Sequence, residues 1–386
     1  MSVQKHEDKY FYFAYGIYLS MYIFFQLSRV NQVIGVEIVT SINTFNQLFL
    51  LLILAFYLIK NILRNNSNKL LGLFILVACF GCWLAFKSGY LSVVSILYAI
   101  FYSYFINFSK LVKVDFFSRL LTLILILLLF KTGIIEEITV MRESGLVRYS
   151  MGFQHMNTVG SLLLTLTLDY IYLRFKYFNF HDYLVVLFII LTFNKKIDSR
   201  GMLLSVIIAL VFTFLFKKRI NFFENKHVNR FVISIPLILA LLSIFFTVFF
   251  SYSKELMVLL DKAFSYRLSF GNTFYRIFGL TFFGQQIDSY ELGINEVING
   301  NTIIVLDNLY MSLLLRNGLI FCVIFLLSIT YILKKTMILK KYSVSLMVIS
   351  LSFYGLFEVV PSTLQFNIVL WSIFCNMSGD DWGERN

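Results

Sequence analysis

Apolar segments, many of 17 or more residues, follow one another along almost the whole chain. Such lengths fit helices that cross a hydrocarbon layer of about 30 Å, whereas membrane barrel strands give short alternating segments. We therefore expect an all-α integral membrane protein, formed as a single polytopic domain over residues 1–386. The pattern predicts about twelve spans, near residues 10–27, 38–59, 70–86, 90–107, 116–135, 153–173, 183–194, 201–216, 231–250, 307–333, 342–359 and 361–377.

The longest polar interval between apolar segments runs from residue 251 to residue 306. Its first part predicts a short amphipathic helix with Lys262 and Arg267 beside or opposite the apolar stripe. This helix either lies on the membrane with its cations near lipid phosphates or forms a lid with a solvated charged face. The stripe recurs at steps of three and four residues, at Leu256, Leu259, Leu260, Ala263, Phe264 and Leu268.

The composition agrees with a membrane protein, because 59% of residues are hydrophobic and only 14% are charged, against roughly 25% charged in soluble domains. The formal net charge is +12. Positive charge chiefly marks cytoplasmic loops, and the excess of Lys and Arg predicts both termini in the cytoplasm and the 251–306 loop outside. No stripe of cations interleaved with exposed aromatics is present, so we expect no nucleic-acid partner.

Two motifs that usually indicate cofactors carry little weight here. Cys79-x-x-Cys82 has the spacing of a redox or zinc pair, but it lies in an apolar segment without a second pair, which favours packing. The chain has no Gly-rich loop ending in Gly-Lys-Ser or Gly-Lys-Thr, so ATP hydrolysis is not expected. We expect neither a metal nor another cofactor.

Four polar clusters lie on the predicted outer side, where charged groups at membrane depth are costly and indicate function. Arg is suited to phosphate because its planar fork gives two parallel bonds. Each Arg alone can equally be an interfacial anchor or the partner of a carboxylate. Three cations in the outer hairpin, Lys195, Lys196 and Arg200, depart from the charge rule, so either the topology differs there or they bind an anion. The clusters are Lys131 to Asn157 with Arg148 and His155, Lys195 to Gly201, Arg267 to Gly284 with Arg276, and Asp307-Asn308-Leu309-Tyr310.

Two carboxylates and one histidine are candidates for proton transfer. Asp307 and Glu358 lie where predicted outer loops meet spans, and partial desolvation there can raise a carboxylate pKa. The alternatives are a helix cap for Asp307 and an ion pair with a neighbouring Arg for Glu358. His155 is the only histidine predicted outside, and a structural role is the alternative for it.

Several fragments recur in a particular order between about Gly133 and Trp371. In this order, and with a large outer loop before the tenth span, they resemble the Wzy-type polysaccharide polymerases and the related O-antigen ligases. The fragments are Gly152-Phe153 followed by His155 and Asn157; Ser199-Arg200-Gly201 at the head of a span; Tyr266-Arg267 before Ile277-Phe278-Gly279; and Asp307-Asn308-x-Tyr310 before Gly318-Leu319-Ile320.

The resemblance implies a metal-independent, inverting glycosyltransferase of the bacterial cytoplasmic membrane. Such enzymes join oligosaccharide repeat units carried on undecaprenyl pyrophosphate into capsular polysaccharide, exopolysaccharide or O-antigen, and they work with flippases and chain-length regulators. Arg200 and Arg267 match positions that bind pyrophosphate. Asp307 stands where ligases tend to carry His, which favours a polymerase, and Met156 stands where many relatives carry Pro.

From the resemblance together with the residues, we predict a complete site. Asp307 and His155 are the catalytic candidates, and Arg200 and Arg267 are the pyrophosphate ligands. Three further cations assist them, and three polar residues position the substrate. The assisting cations are Arg276, Lys195 and Lys196, and the positioning residues are Asn157, Asn308 and Tyr310.

Two other functions stay open at this point. A flippase for the same lipid-linked sugars should line a central cavity with charges along several helices and often shows two related halves. The charges here gather at one face and no halves are visible, which favours chemistry over transport. A ligase would use the same donor and a different acceptor.

Overall fold

The computed structural model describes residues 9–64, 68–141, 145–287 and 305–375. Most of them are helical, and π-helical turns at Tyr22–Leu27 and Leu313–Asn317 continue α1 and α14. The helices are α1 Lys9–Met21, α2 Asn31–Ile34, α3 Val36–Arg64, α4 Asn68–Ser88, α5 Ser92–Tyr102, α6 Phe108–Lys131, α7 Met156–Arg174, α8 Phe180–Ile197, α9 Arg200–Lys218, α10 Ile220–Glu224, α11 Lys226–Val248, α12 Glu255–Ala263, α13 Arg267–Phe278, α14 Leu309–Ser312, α15 Gly318–Ile338 and α16 Tyr342–Tyr354.

One short hairpin departs from the all-α expectation. Strands β1 (Thr139–Met141) and β2 (Val147–Tyr149) pair antiparallel, with Val140 opposite Arg148. Alternate residues of a strand point to opposite faces. In this hairpin Arg148 is buried, whereas the neighbouring Tyr149 is exposed. The hairpin thus brings a cation, Arg148, into the helical bundle.

Five helical segments among the described residues are long and apolar enough to cross a membrane: Val36–Leu63, Leu71–Ser88, Arg200–Lys218, Lys226–Val248 and Leu309–Ile338. This agrees with the expected helical membrane protein, while the number of twelve spans stays a prediction. The segment predicted as a last span over 361–377 is not a continuous helix, because its described part holds the short 3-10 turns Val360–Ser362 and Ile368–Ser372. Asn367 donates its side-chain N–H to the carbonyl of Pro361, 2.7 Å away, and stabilises this irregular path.

Buried and exposed helices divide the bundle into a centre and a periphery. Most of α7 and nearly all of α16 are buried, and both pack against α9. The peripheral helices expose large apolar side chains such as Phe86 (84% exposed) and Phe188 (73%). Such surfaces suit a lipid environment, where no water penalises them. Polar residues at the ends of α7, α9 and α16 therefore lie close together, at one end of this central group of helices.

Asparagine side chains begin several helices. Each accepts a hydrogen bond from a backbone N–H of the first turn, which would otherwise lack a partner. Asn179 forms a reciprocal capping box with Asp182 at the start of α8. The other caps are Asn107 on α6, Asn225 on α11 and Asn308 on α14.

The helix that follows Asp307 is broken where the sequence carries Gly318. Gly318 has φ +84° between the π-helical turn and α15, a conformation that favours glycine. The segment after α13 fills the break: Thr281 and Phe282 accept hydrogen bonds from the backbone N–H groups of Leu319 and Ile320, at 2.9 and 3.1 Å. A broken helix at membrane depth is tolerated where protein satisfies the freed backbone groups.

The interval 251–306 contains α12 and α13 within its described part, and residues 288–304 lie outside the described residues. The single amphipathic helix predicted here is two helices, because Ser265 and Tyr266 adopt positive φ of 54° and 64° between them. Buried Asp261 stabilises the new start, since its Oδ1 accepts the backbone N–H groups of Leu268 and Ser269, both at 3.0 Å. The kink directs Arg267, at the start of α13, towards the ends of the central helices.

Candidate functional site

A polar cavity of about 550 Å³ opens at the ends of α7, α9, α13, α14 and α16. It collects residues that lie far apart in the sequence, because these helices all begin or end at this side of the bundle. Its wall contains Arg148, His155, Asn157, Ser199, Arg200, Gly201, Lys262, Ser265, Tyr266, Arg267, Asp307, Phe357 and Glu358.

Arg267 joins two carboxylates across the cavity wall. Its Nη2 lies 3.1 Å from Oδ2 of Asp307 and 3.3 Å from Oε1 of Glu358. Its Nε donates to the carbonyl of Phe357 at 3.0 Å and its Nη1 to the carbonyl of Ser265 at 3.1 Å. These four contacts to protein engage most of the five N–H donors of the guanidinium. This residue, predicted as a pyrophosphate ligand, chiefly orients the carboxylates.

A second arginine reaches the same carboxylate through an amide. Arg148 donates from Nη2 to Oδ1 of Asn157 at 2.6 Å, and Asn157 donates from Nδ2 to Oε1 of Glu358, also at 2.6 Å. Nε of Arg148 donates to the carbonyl of Ile197 at the end of α8, 2.8 Å away. The side chains from Arg148 to Asp307 thus form one connected network, and connected polar groups hold each other in position.

The two carboxylates differ in their access to the cavity. The side chain of Asp307 is 25% exposed, and that of Glu358 is 11% exposed. Burial, followed by the negative charge of Asp307, raises the pKa of Glu358 to about 8, although Arg267 and Arg148 act in the opposite direction. The protein therefore favours the protonated form of Glu358, and Asp307 is the carboxylate that a ligand meets first.

His155 caps α7 with its side chain. Its Nδ1 accepts the backbone N–H of Asn157 at 3.1 Å, so the neutral ring carries its proton on Nε2. The ring is open to the cavity but enclosed by protein on its other sides. This desolvation, followed by the positive charge of Arg148, lowers the pKa of His155, and the nearby Asp307 only partly opposes the shift. His155 consequently offers an N–H donor to a ligand, whereas Nδ1 is already occupied.

Two cations of the cavity are open to a ligand. Arg200, the first residue of α9, and Lys262, in the last turn of α12, are both exposed. Within the described part of the chain, neither side chain forms a hydrogen bond or an ion pair. Exposed, unpaired cations facing a cavity suit a multiply charged anion. Lys262 and Arg200 are therefore the strongest anion-binding candidates of this site.

Glycine allows the floor of the cavity to close beneath Arg200. A Cβ atom on Gly201 would lie 2.6 Å from Cβ of Phe357. Only a residue without a side chain permits this approach of α9 to the segment after α16. The Ser199-Arg200-Gly201 fragment is thereby explained in part by packing.

Five predicted site residues lie outside the cavity wall. Lys195 and Lys196 are exposed at the end of α8. Arg276 lines a separate cavity of about 540 Å³ on another side of α13. Asn308 caps α14 and bonds Ser243, and Tyr310 donates its hydroxyl to the carbonyl of Ser352 at 2.7 Å. Asn308 and Tyr310, expected to position a substrate, are buried and stabilise the packing around α14.

The cavity also contains residues that the sequence did not single out as ligands. Arg148 appeared only as a member of a polar cluster, Glu358 only as a possible base, and Lys262 only as part of an amphipathic helix. The signal for Arg148 in the sequence was weak. Its position in the cavity wall depends on the β1–β2 hairpin, and no strong alternating pattern predicts these two strands. The sequence did not predict the kink at Ser265 and Tyr266, and the position of Lys262 in the cavity wall depends on that kink.

Fold and site together define a class: a helical membrane protein with a cation-rich, carboxylate-containing cavity at one end of its central helices. No protein-family model, curated protein or solved structure matches the chain.

Proposed function

We propose that this protein is a polysaccharide polymerase that uses polyprenyl-pyrophosphate-linked oligosaccharides as substrates at the outer face of the bacterial cytoplasmic membrane. The main support for this proposal is that one cavity contains two exposed, unpaired cations together with an accessible carboxylate. Arg200 and Lys262 supply the cations, and Asp307 supplies the carboxylate.

The diphosphate of the donor suits the cationic side of the cavity. Arg200 can form two parallel bonds to phosphate oxygens, Lys262 adds a point charge, and the Nε2–H of His155 adds a neutral donor. These groups stabilise the negative charge that develops as the sugar–phosphate bond breaks. A volume of about 550 Å³ holds a diphosphate and an adjoining sugar rather than a whole oligosaccharide. The remaining repeat unit would extend out of the cavity.

Asp307 is the proposed general base. It takes the proton of an acceptor hydroxyl while that oxygen forms a bond to the anomeric carbon of the donor sugar. The bond between this carbon and the diphosphate oxygen breaks, and the polyprenyl diphosphate leaves with the electron pair. Arg267 holds Asp307 in place, and protonated Glu358 adds no second negative charge beside the entering diphosphate.

The charges at the two ends of the bundle support the proposed orientation. The end remote from the cavity carries Lys217 and Lys218 in the last turn of α9, Lys226 at the start of α11, Lys335 in the last turn of α15 and Lys340 just after it. Clusters of this kind favour the cytoplasm, so the cavity would face out of the cell. A flippase that delivers the donor and a chain-length regulator are the protein partners this role requires.

Removing the protein from the cell tests the proposal. Surface polysaccharide separated by size should change from long chains to single repeat units, and re-expression of the wild-type chain should restore the long chains. Unchanged chain lengths would contradict polymerisation. Long chains that remain on their lipid carrier would indicate a ligase, and lipid-linked units trapped in the inner leaflet would indicate a flippase.

An assay with purified protein distinguishes a polymerase from a transporter more directly. In detergent micelles, where no membrane separates two compartments, a polymerase should convert lipid-linked repeat units into longer products and release polyprenyl diphosphate. A transporter should leave the same substrate unchanged.

A further inference from the structure

A second charged cluster lies inside the bundle, away from the cavity. Asp115 and Arg119 lie one turn apart on α6, and Asp169 faces them from α7. Their side chains are 0%, 1% and 1% exposed, so no solvent reaches them. Asp169 lies twelve residues after Asn157, or about 18 Å further along α7. The cluster is therefore separate from the proposed active site.

The two carboxylates of this cluster are unequally satisfied. Asp115 accepts the hydroxyl of Tyr15 at 2.6 Å and both Nε and Nη2 of Arg119. Asp169 lies 3.8 Å from Nε of Arg119 and beside the Asp115 carboxylate, and among the described residues no N–H or hydroxyl group donates to either of its oxygens. The Nη1 of Arg119 also lacks one. Three groups thus donate to the oxygens of Asp115, and among the described residues none donates to those of Asp169.

Charge balance requires another positive charge at this place. Two ionised carboxylates and one guanidinium leave one negative charge in a medium that cannot solvate it, and such a group is neutralised. The tyrosines that interact with the cluster, Tyr15 and Tyr22, contribute no positive charge. The nearest charged neighbours of Asp169 are Asp115 and Arg119.

A metal ion fits this place poorly. The guanidinium of Arg119 is ion-paired with both carboxylates, and its charge repels a second cation at this distance. A bound cation also needs several oxygen ligands. Among the described residues, no group of three or more His, Cys, Asp or Glu could hold a metal. A proton needs only one carboxylate and an acceptor.

We propose that Asp169 carries a proton in the resting protein, so that Asp115, Arg119 and Asp169 form a buried single-proton site. The protonated carboxyl of Asp169 donates to Asp115, and Asp115 with Arg119 forms a neutral pair. Loss of this proton places two negative carboxylates on one guanidinium and weakens the packing of α6 on α7. The site binds a proton whether or not the proposed polymerase function holds.

Infrared spectroscopy of purified protein tests this directly. A protonated carboxyl has a carbonyl band above the amide bands, and the band shifts when H₂O is replaced by D₂O. Protein labelled with ¹³C at the aspartate carboxyl separates Asp169 from glutamate, Glu358 included. The wild type should show a labelled carboxylic-acid band at neutral pH, and Asp169→Asn should lose it. Glu224 is exposed and forms an ion pair with Lys340. The control variant is Glu224→Gln, which should leave the band unchanged.

Thermal unfolding gives a second, independent readout. Asn is a neutral mimic of protonated Asp, so Asp169→Asn should keep a Tm close to that of the wild type. Asp115→Asn should lower the Tm clearly, because Arg119 loses its ionised partner.

Three kinds of result would overturn the proposal, and the second has two forms. One is a wild type without an aspartic-acid band, which decides the question even where Asp169→Asn does not fold. Another is a band that persists in Asp169→Asn, or a larger fall in Tm for Asp169→Asn than for Asp115→Asn. The third is a wild-type Tm that rises with NaCl but not with choline chloride, since this would assign the place to a cation.

Discussion

An arginine ion-paired with two carboxylates lies beside each end of α7, yet the two clusters differ in access. Near the start of α7, Arg267 bridges Asp307 and Glu358 in the wall of a cavity of about 550 Å³. Near its other end, Arg119 lies between Asp115 and Asp169, all 1% exposed or less. Among the residues that the structure describes, the first cluster is accompanied by unpaired cations and the second has none nearby. The same residue types, one arginine and two carboxylates, therefore occur both beside a cavity and inside the packed bundle, and only their access distinguishes the two clusters.

The two clusters differ in the charged groups beside each arginine that remain accessible to a ligand. Around Arg267, an exposed carboxylate and two further cations, Arg200 and Lys262, face a space that a ligand can fill. Arg119 and its two partners are buried in the bundle, so we expect a substitution of Arg119 to act on folding rather than on binding. Substitutions of Asp307 and Arg200 at the cavity should change turnover without changing stability, and substitution of Arg119 in the buried cluster should do the reverse.

The largest effect on turnover is expected at Asp307. The Asp307→Asn variant cannot accept the proton of the acceptor hydroxyl, and loss of a general base lowers the rate by about 10²–10⁴-fold. Its Tm should stay close to that of the wild type, because Asn keeps a contact to Arg267. The measurement is the rate of product formation from lipid-linked repeat units by purified protein.

The control for this variant is Glu136→Gln, an exposed carboxylate outside the cavity wall, which should keep full activity. Near-normal turnover of Asp307→Asn would exclude Asp307 as the base.

The largest effect on stability is expected at Arg119. The Arg119→Leu variant leaves two carboxylates without a guanidinium in the bundle interior, and breaking a buried pair costs about 3–5 kcal/mol. Denaturant or thermal unfolding in detergent measures this loss. The exposed Arg230, changed by Arg230→Gln, should alter stability by less than about 0.5 kcal/mol. Equal effects of the two variants would show that the cluster contributes no more than a surface charge.

A smaller effect is expected at Arg200. The Arg200→Ala variant removes charged hydrogen bonds to the diphosphate, each contributing about 1.5–3 kcal/mol, and should lower kcat/KM by about 10–150-fold. Its Tm should not change, because the side chain is exposed and unpaired. Lys195→Ala, five residues earlier and outside the cavity wall, is the matched control. If both variants lose activity equally, general surface charge rather than the cavity attracts the substrate.

Much of this arrangement was accessible from the sequence. The membrane class follows from the apolar segments. The sequence also proposed as site residues Arg200, Arg267, His155, Asn157 and Asp307, all of which line the cavity. Polar residues that begin or end helices on one side of a membrane have few other places to lie.

The remaining features depended on contacts between distant elements. The sequence could not predict that Arg267 divides its donors between two carboxylates, since this requires the kink before α13 and the irregular segment after α16. Asn308 and Tyr310 belong to a polar fragment, but their buried hydrogen bonds are set by α11 and α16. Asp115 and Arg119 did carry a signal, a charged pair one turn apart inside an apolar helix. Their third member, Asp169, comes from another helix.

The smallest and most specific effect is expected at Glu358, and it concerns pH. Burial and the charge of Asp307 raise the pKa of Glu358 to about 8 in the folded protein, above its ordinary value of 4.5. The folded state therefore binds this proton more tightly, and the stabilisation it provides falls as the pH rises from about 4.5 to about 8. Gln mimics the protonated side chain and does not titrate. The Tm of the wild type minus that of Glu358→Gln should accordingly decrease across this interval and level off above it.

Activity measured on Glu358→Gln distinguishes the roles of the two carboxylates at the cavity. With Asp307 as the base and Glu358 protonated, Glu358→Gln should retain most of its turnover at neutral pH. The Asn157 and Arg267 contacts persist, because the amide oxygen of Gln accepts the same hydrogen bonds as Oε1. A loss of turnover as large as that of Asp307→Asn, together with an unchanged Tm profile, would mean that Glu358 is ionised and accepts the proton. The base would then be the more deeply buried of the two groups that Arg267 holds.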